Sequence, residues 1–231
     1  MFITLKKKSV AIAIVLIVAV VAISVGCAFV AENAARATMV KTNGMTVVID
    51  AGHGGIDGGV VGSTGVKESD INLKMAGILQ KEIESRGFRV VLTGTGKDAL
   101  NNIKRLDMQA RKEIIVKAAP VAVISLHVNR FSDKSRRGAQ VFYDDTGIGK
   151  DFAESMQKTI NEKINAKYSG RDDYEAIDGD LFITKCVKVP SVIIECGFIS
   201  NPEDEKLLLS REYCQELCKN IADVLCERTC V

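Results

Sequence analysis

Tryptophan is absent from this 231-residue sequence, and aromatic residues make up only 5% of it. Neither sign of charge dominates: the formal net charge is +2, and without residues 1–38 the remaining 27 basic and 28 acidic residues give −1. Proteins that bind nucleic acid need basic patches, and those that bind single strands also use stacked aromatic rings. The sequence therefore predicts no nucleic-acid partner.

The seven cysteines form no C-x-x-C pair, so the spacing of common zinc and redox motifs is missing. Cys214 and Cys218 fall on the apolar face of a helix predicted over 211–228, where cysteine is expected as a small buried hydrophobic residue. Cys226 and Cys230 fall off that face. A disulfide that involves them stays open for an oxidising compartment.

The N-terminal region carries the one long apolar run. Three lysines, Lys6–Lys8, precede an uncharged stretch over 10–30, which is long enough to span a bilayer as a helix. Lysines before a span keep that end in the cytoplasm, so the rest of the chain is predicted to lie outside. We therefore expect residues 1–30 to be a membrane anchor or a signal segment, followed by a polar linker over 31–44. An A-x-A site at Ala35–Ala37 keeps cleavage and secretion open, and lipidation at Cys27 is a third alternative.

From Met45 onward, strand-like and helix-like segments alternate. This alternation predicts one α/β domain over 45–231, with a mostly parallel central sheet flanked by helices. Ser69 or Asp70 is the expected cap of the first helix, and Gly87 its end. The predicted strands are 45–50, 88–93, 121–127, 138–143 and 191–196, and the predicted helices are 69–86, 102–118, 150–166 and 211–228.

Three of the predicted strands end in a polar side chain. The runs "VVIDAGH", "VAVISLH" and "SVIIE" end at His53, His127 and Glu195, and the chain has no other histidine. In parallel sheets the carboxyl ends of strands border one crevice, where ligands bind. Glycines around His53 allow the backbone to approach a ligand closely. Two histidines placed in this way favour a shared metal ion over two unrelated surface residues.

A catalytic zinc ion commonly has three protein ligands, and two histidines with a carboxylate are one known set. Glu68 lies just before the first predicted helix, in the loop that follows His53, so it can fold back over the site. Asp57 is as near, but an aspartate in a glycine-rich turn usually bonds to its own backbone. The candidates for the third ligand are Asp50, Asp57, Glu68, Asp70 and Glu195.

Other catalytic motifs do not fit the sequence. The glycines near His53 lack the G-x-G-x-x-G spacing of a dinucleotide site and the Gly-Lys-Ser/Thr ending of a P-loop, and no H-E-x-x-H occurs. Cys196, beside Glu195, would point to the opposite side of its strand. It is therefore expected in the core rather than as a nucleophile.

The sequence resembles the zinc-dependent N-acetylmuramoyl-L-alanine amidases of the amidase 3 family. The resemblance lies in the runs "VVIDAGHGGIDGG", "KESDINL", "SLHVN", "RGAQVFY" and "VIIECGFISNPEDEKLL", in this order. It implies one Zn²⁺ held by His53, Glu68 and His127, with Glu195 as the catalytic carboxylate. It also implies hydrolysis, in peptidoglycan, of the amide between the lactyl group of N-acetylmuramic acid and the L-alanine of the stem peptide.

One departure from the family pattern is Gly94, which stands where relatives often have an arginine after the second strand. A single domain behind an N-terminal apolar segment is similar to the spore-cortex members of the family, which act in sporulation. Two alternatives stay open: a non-catalytic wall-binding or regulatory module on the same fold, and a zinc peptidase or deacetylase that cuts a different bond. The sequence indicates no particular protein partner.

Overall fold

The computed structural model describes Val18, Ser24 and residues 43–94, 100–144 and 148–229. Apart from Val18 and Ser24, the predicted anchor over 1–30 lies outside the described residues, as does the predicted linker up to residue 42. The chain divides into two compact units, Met1–Lys41 and Thr42–Val231. Within the described part of the chain, no helix has the length and the apolar composition that a membrane span requires.

The second unit is built on a six-stranded sheet. Its strands are β1 (Thr46–Ala51), β2 (Arg89–Leu92), β3 (Ala122–Asn129), β4 (Gln140–Tyr143), β5 (Ile177–Asp178) and β6 (Ser191–Phe198), in the order β2-β1-β3-β6-β4-β5. All neighbouring strands are parallel except the antiparallel pair β4 and β6. The prediction of an α/β domain with a mostly parallel sheet is confirmed.

Helices cover both faces of this sheet. They are α1 (Glu68–Ser85), α2 (Lys104–Ala118), α3 (Gly149–Ile160), α4 (Pro202–Leu209) and α5 (Arg211–Thr229), with a π-helical turn at Asn161–Asn165 and a 3₁₀ turn at Ile183–Lys185. The larger core packs alternate residues of β1, β3 and β6 against α1, α3 and α5. The smaller core packs Val48 and Val123 against Ile115 of α2 and Ile183. Because both faces are covered, the central strands are apolar runs rather than alternating ones.

Helix α1 begins one residue earlier than predicted, and neither Ser69 nor Asp70 caps it. The capping position is Lys67, which makes no side-chain cap. The first amides bond instead to carbonyl oxygens of the preceding loop: Glu68 N donates to Val60 O and Ser69 N to Gly58 O. The long loop from His53 therefore takes the place of a capping side chain, and it brings Glu68 into the first turn.

The helix predicted over 150–166 changes geometry at its end. It is α-helical to Ile160 and continues as the π-helical turn. Three amide side chains, Gln157, Asn161 and Asn165, form a ladder along this segment and bond to the backbone beside β4. Val141 N and Ala139 N donate to Gln157 Oε1 and Asn165 Oδ1, while Asn161 Nδ2 donates to Tyr174 O. We call these three residues the amide ladder.

Two short elements were not predicted. Strand β5 has only two residues, paired to Phe142 and Tyr143 of β4. Helix α4 is capped by Asn201, whose side chain accepts from Glu203 N and Asp204 N, and Pro202 stands in its first turn. Asparagine followed by proline is a typical helix start, so the sequence did carry a signal for α4.

Candidate metal centre

The three predicted strand ends lie together at one edge of the sheet. Ala51, near the end of β1, pairs with Leu126 of β3, and His127 pairs with Glu195 of β6. The β3–β6 register shifts between His127 and Asn129, so the ladder becomes irregular at this point. The ring centroids of His53 and His127 are 5.2 Å apart. The carboxyl ends of β1, β3 and β6 thus share one crevice.

His53, Glu68 and His127 each present one ligand atom, and these atoms lie within 4.8 Å of one another. His53 Nε2 is 3.4 Å and His127 Nδ1 is 3.1 Å from the same carboxylate oxygen, Glu68 Oε1. Two imidazole nitrogens and a carboxylate oxygen form a donor set that suits Zn²⁺. The residues that the resemblance implies as ligands are therefore neighbours in the fold.

The Glu68 side chain is held from both of its oxygens. Its Oε2 accepts from Val60 N and its Oε1 from Val128 N, each at 3.1 Å. Burial would raise the pKa of Glu68, but hydrogen bonds from His127 and His53 together with that from Val60 outweigh it, and the pKa falls well below its ordinary value. Glu68 is thus held as a carboxylate, the form in which it binds a metal ion.

Two glycines make this close approach possible. A Cβ at Gly52 would overlap the imidazole ring of His127, and a Cβ at Gly59 would overlap Glu68 Oε2 and the ring of His53. His53 itself has a positive φ of 63°. The glycine-rich run therefore lets the backbone turn sharply while three bulky side chains converge.

The other carboxylates considered as ligands take different places. Asp57 Oδ1 accepts from Gly59 N at 3.2 Å, as expected for its turn, and is also 3.0 Å from His53 Nδ1. It therefore lies behind the imidazole at ion-pair distance, but not in hydrogen-bond geometry, since His53 Nδ1 has no hydrogen-bond partner among the described residues. Asp50 is buried and pairs with Arg111 rather than joining the cluster, while Asp70 is exposed on α1. Hydrogen bonding to Glu68 raises the pKa of His53 against the effect of burial, and Asp57 adds to the rise.

Glu195 is not one of the three clustered side chains. Its Oε2 is buried without a hydrogen-bond partner among the described residues. Burial raises the pKa of Glu195 to about 7, although His127 opposes the rise. A carboxyl group with a pKa near neutrality both accepts and releases a proton readily, which is the property of a general acid–base group.

An open cleft of about 470 Å³ borders the two histidines. Polar and charged residues line it, among them Asn101, Lys104 and Arg111. The lining also has apolar residues: Ile56, Met108, Leu181, Phe182, Ile183 and Ile193. A cleft of this kind receives an extended ligand and places part of it over the clustered side chains.

Arg111 and Asn72 were missed from the sequence. Both are buried, and both donate to carbonyl oxygens of the turn that contains His53. Arg111 follows Asp107 by four residues on α2, a spacing that is typical of an exposed helical ion pair. The sequence therefore carried a signal for the pair but not for its burial beside the site.

The fold and the site together define an α/β domain with a candidate mononuclear metal centre of the kind that hydrolases use. Residues 47–227 match the family model described as N-acetylmuramoyl-L-alanine amidase. The chain belongs to this family of enzymes.

Relatives support this assignment. The "Probable cell wall amidase LytH" of Staphylococcus aureus is 30% identical over 187 residues, covering 79% of this chain and 57% of the relative. The chain thus spans little more than half the length of that curated relative. The solved CwlD amidase of Clostridioides difficile, in complex with the GerS lipoprotein, has a TM-score of 0.72 and 30% identity, covering 79% of this chain and 97% of that one. AmiC2 of Nostoc punctiforme has a TM-score of 0.72 and 27% identity, with coverage of 82% and 99%.

Proposed function

We propose that this protein is a zinc-dependent N-acetylmuramoyl-L-alanine amidase that removes stem peptides from peptidoglycan. The bond cut is the amide between the lactyl group of N-acetylmuramic acid and L-alanine. One observation carries the proposal: in a domain of this family, His53, Glu68 and His127 converge near Glu195, whose buried Oε2 has no hydrogen-bond partner among the described residues.

His53, Glu68 and His127 would hold one Zn²⁺. The donor set fits this ion, because Glu68 is held as a carboxylate and the histidine nitrogens His53 Nε2 and His127 Nδ1 both face its Oε1. A bound zinc ion supplies Lewis-acid polarisation of a carbonyl group and acidifies water. The protein's part is to place the donors: Asp57 lies 3.0 Å from His53 Nδ1, and backbone amides hold both oxygens of Glu68.

Glu195 would carry the proton. Its Oε2 has no hydrogen-bond partner in the described part of the chain, and its pKa of about 7 suits removal of a proton from water. The same carboxyl group then returns the proton to the leaving nitrogen of L-alanine. The apolar walls of the cleft, including Phe182 and Ile56, would contact the substrate on either side of the amide.

Product analysis on purified peptidoglycan tests the proposal. We expect new L-alanine amino termini and no new reducing sugars. Deacetylated sugars, or amino termini of another residue, would instead mean a deacetylase or a different peptidase. Binding to peptidoglycan without any product would mean a wall-binding or regulatory module.

Two variants separate the roles of the glutamates. Glu68→Ala removes a ligand, so zinc retention and activity should fall together. Glu195→Gln should keep the bound zinc while turnover falls about 10²–10⁴-fold, the usual contribution of a positioned acid–base group. Wild-type zinc affinity in Glu68→Ala, or full activity in Glu195→Gln, would show that these roles are wrong.

The proposed site of action is extracytoplasmic. We propose that residues 1–30 anchor the chain or direct its secretion, that 31–44 form a linker, and that 45–231 form the catalytic domain. The cell-wall name of the Staphylococcus relative supports this location, as do the lysines before the apolar run. A reporter fused after Val231 should be active only outside the cytoplasm, and activity confined to the cytoplasm would contradict the orientation.

A role in spore-cortex maturation and a protein partner are part of the same proposal. The CwlD amidase, which matches 79% of this chain, was solved in complex with a lipoprotein. That complex supports a lipoprotein partner here. Comparing the muropeptides of spores and vegetative walls, with and without the protein, tests the role. An unchanged cortex would exclude it.

A further inference from the structure

Three consecutive carbonyl groups at the end of β1 are held by buried side chains. Arg111 Nη1 donates to Ala51 O at 2.7 Å, Asn72 Nδ2 to Gly52 O at 3.0 Å, and Arg111 Nη2 to His53 O at 2.5 Å. Gly52 N still pairs with Leu126 O of β3. The backbone therefore leaves the sheet at the point where side chains begin to accept its hydrogen bonds.

This turn has to be held, because its central residue adopts an unfavourable conformation. His53 has a φ of 63°, in the left-handed region that is unfavourable for a residue with a Cβ atom. The same conformation directs His53 Nε2 toward Glu68 Oε1. If the carbonyl group of His53 lost its donor, the backbone could relax and carry the imidazole away from Glu68.

The guanidinium group of Arg111 is itself fixed on two other sides. Its Nε donates to Asp107 Oδ2 at 2.7 Å and its Nη1 to Asp50 Oδ1 at 2.8 Å, and the side chain is only 5% exposed. Asp50 is held in turn by the hydroxyl groups of Thr93 and Ser125. Asp107 also accepts from Leu100 N and Asn101 N, in the segment that borders the cleft.

We propose that Arg111 is a positioning residue, whose guanidinium group clamps the His53 turn in the conformation that binds the metal ion. The inference rests on the proposed zinc site and concerns how the chain prepares it. Arg111 makes four hydrogen bonds: one to Asp107 within α2, and three that join α2 to Asp50 and Ala51 of β1 and to His53 of the turn. Because Asp50 and Asp107 fix the plane of the guanidinium group, the two carbonyl oxygens of the turn are fixed with it.

Lysine cannot replace Arg111 in this role. An ammonium group donates from a single nitrogen, whereas the guanidinium group spreads its donors over three nitrogens in one plane. A lysine at this position would keep a positive charge between Asp50 and Asp107. It could not reach Asp107 Oδ2 and His53 O at the same time.

The test compares Arg111→Lys and Arg111→Met with the wild-type protein by chelator competition for zinc. We expect the zinc dissociation constant to rise about 10- to 100-fold in both variants, the range typical of residues that orient metal ligands. The visible spectrum of the Co²⁺-substituted protein should change as well, since it reports the arrangement of the donors. Arg111→Lys keeps the charge balance of the buried group, so it is the variant expected to stay folded.

Arg86→Met is the matched control. Arg86 also pairs with two acidic side chains, Glu82 and Asp223, but it lies at the end of α1 and joins that helix to α5. The thermal midpoint of this control should fall while its zinc affinity stays at the wild-type value. Zinc affinity within twofold of wild type in a folded Arg111→Lys protein would overturn the positioning role alone. Failure of the wild-type protein to bind zinc would overturn both this inference and the proposed metal site.

Discussion

Glu195 is partly buried on the central strand β6, and its buried Oε2 has no hydrogen-bond partner within residues 43–94, 100–144 and 148–229. Burial raises its pKa from an ordinary value near 4.5 to about 7. The folded protein therefore binds a proton more tightly than the unfolded chain does. The stabilisation that comes with this proton is complete below pH 4.5 and is lost as the pH rises through 7.

We predict that Glu195→Gln raises the stability of the zinc-free protein at pH 8 but not at pH 5. The variant removes the cost of burying an ionised carboxylate, which is on the order of 3 kcal/mol for a pKa shift of this size. Thermal midpoints of both proteins at the two pH values measure the effect. Zinc-free protein is needed because a nearby cation would itself lower the pKa.

Glu113→Gln serves as the control, since Glu113 is exposed on α2. Its thermal midpoint should follow that of the wild-type protein at both pH values. If Glu195→Gln lowers the midpoint equally at pH 5 and pH 8, Glu195 contributes to stability, and the cost described above does not exist.

A second prediction at the residue scale concerns Gly52. Gly52→Ala should abolish tight zinc binding, because the new methyl group would overlap the imidazole ring of His127. Gly52 is not among the glycines with positive φ, so the effect would be steric rather than conformational. Zinc stoichiometry after dialysis measures it.

Gly77→Ala is the matched control for Gly52→Ala. Gly77 lies within α1, and a Cβ there would have no neighbour within 4 Å. Alanine is the better helix former, so this variant should gain roughly 0.5–1 kcal/mol in stability and keep its zinc. Retention of zinc by Gly52→Ala would mean that the His127 ring can move without loss of the site.

Among the secondary-structure elements, the amide ladder on α3 and the π-helical turn takes a role usually filled by a neighbouring strand. Asn165 accepts from Ala139 N at 2.8 Å and donates to Ala139 O at 3.0 Å, so it satisfies both backbone groups of one residue. Asn165 is almost fully buried. Strand β5 pairs only with Phe142 and Tyr143 of β4. The ladder thus provides hydrogen bonds to Ala139 and Val141, which β5 does not reach.

We predict that Asn165→Ala destabilises the domain by about 1–3 kcal/mol, because the buried Ala139 N loses its acceptor, while Ala139 O keeps its bond from Gln157 Nε2. Urea unfolding followed by circular dichroism measures the change. Lys163→Ala, an exposed substitution in the same turn, should change stability by less than about 0.5 kcal/mol. Equal effects of the two substitutions would show that the ladder adds no stability of its own.

The same elements show what could be read from the sequence. The central strands were predictable because each is an apolar run that ends in a polar residue, as at His127 and Glu195. Strand β5 was not, because two exposed residues have no periodicity. The exact start of α1 was not either, because its first amides are satisfied by a loop rather than by a capping side chain.

Some residues of the candidate site could also be proposed from the sequence, and others could not. His53 and His127 could be proposed because each follows an apolar run and its side chain suits metal binding. The pattern left the third ligand open among five carboxylates, and the roles of Glu68 and Glu195 followed from the resemblance to the family. Arg111 and Asn72 could not, because they act on backbone carbonyl groups of a turn, and no pattern of residue types records such contacts.

Considered as a whole, the molecule keeps several cysteines in its interior. Cys196, Cys214 and Cys218 are fully buried thiols in the larger core, as the sequence predicted for the two on α5. Burial raises the pKa of each thiol above its ordinary value. Cys226 is partly buried against the same core, and Cys230 lies outside the described residues, so the disulfide considered for this pair stays a prediction.

We predict that Cys196, Cys214 and Cys218 resist oxidised glutathione in the native protein but not in the unfolded chain. The buried thiols are inaccessible and are held in the unreactive protonated form. Refolding from urea should give a high yield with a reducing agent and a low yield with oxidised glutathione. Substituting Cys196, Cys214 and Cys218 by alanine or valine should remove much of that difference, and an equal yield for the wild-type protein under both conditions would contradict the prediction.

The buried thiols also affect how the newly made chain folds after export. On the extracytoplasmic side proposed for this domain, a chain that is still unfolded would expose Cys196, Cys214 and Cys218 to oxidants, and any disulfide formed then would have to be broken before the core could close. Protection comes only when α5 packs against the sheet and α1. The speed of that packing step, rather than final stability, would then set how much of the newly exported protein matures.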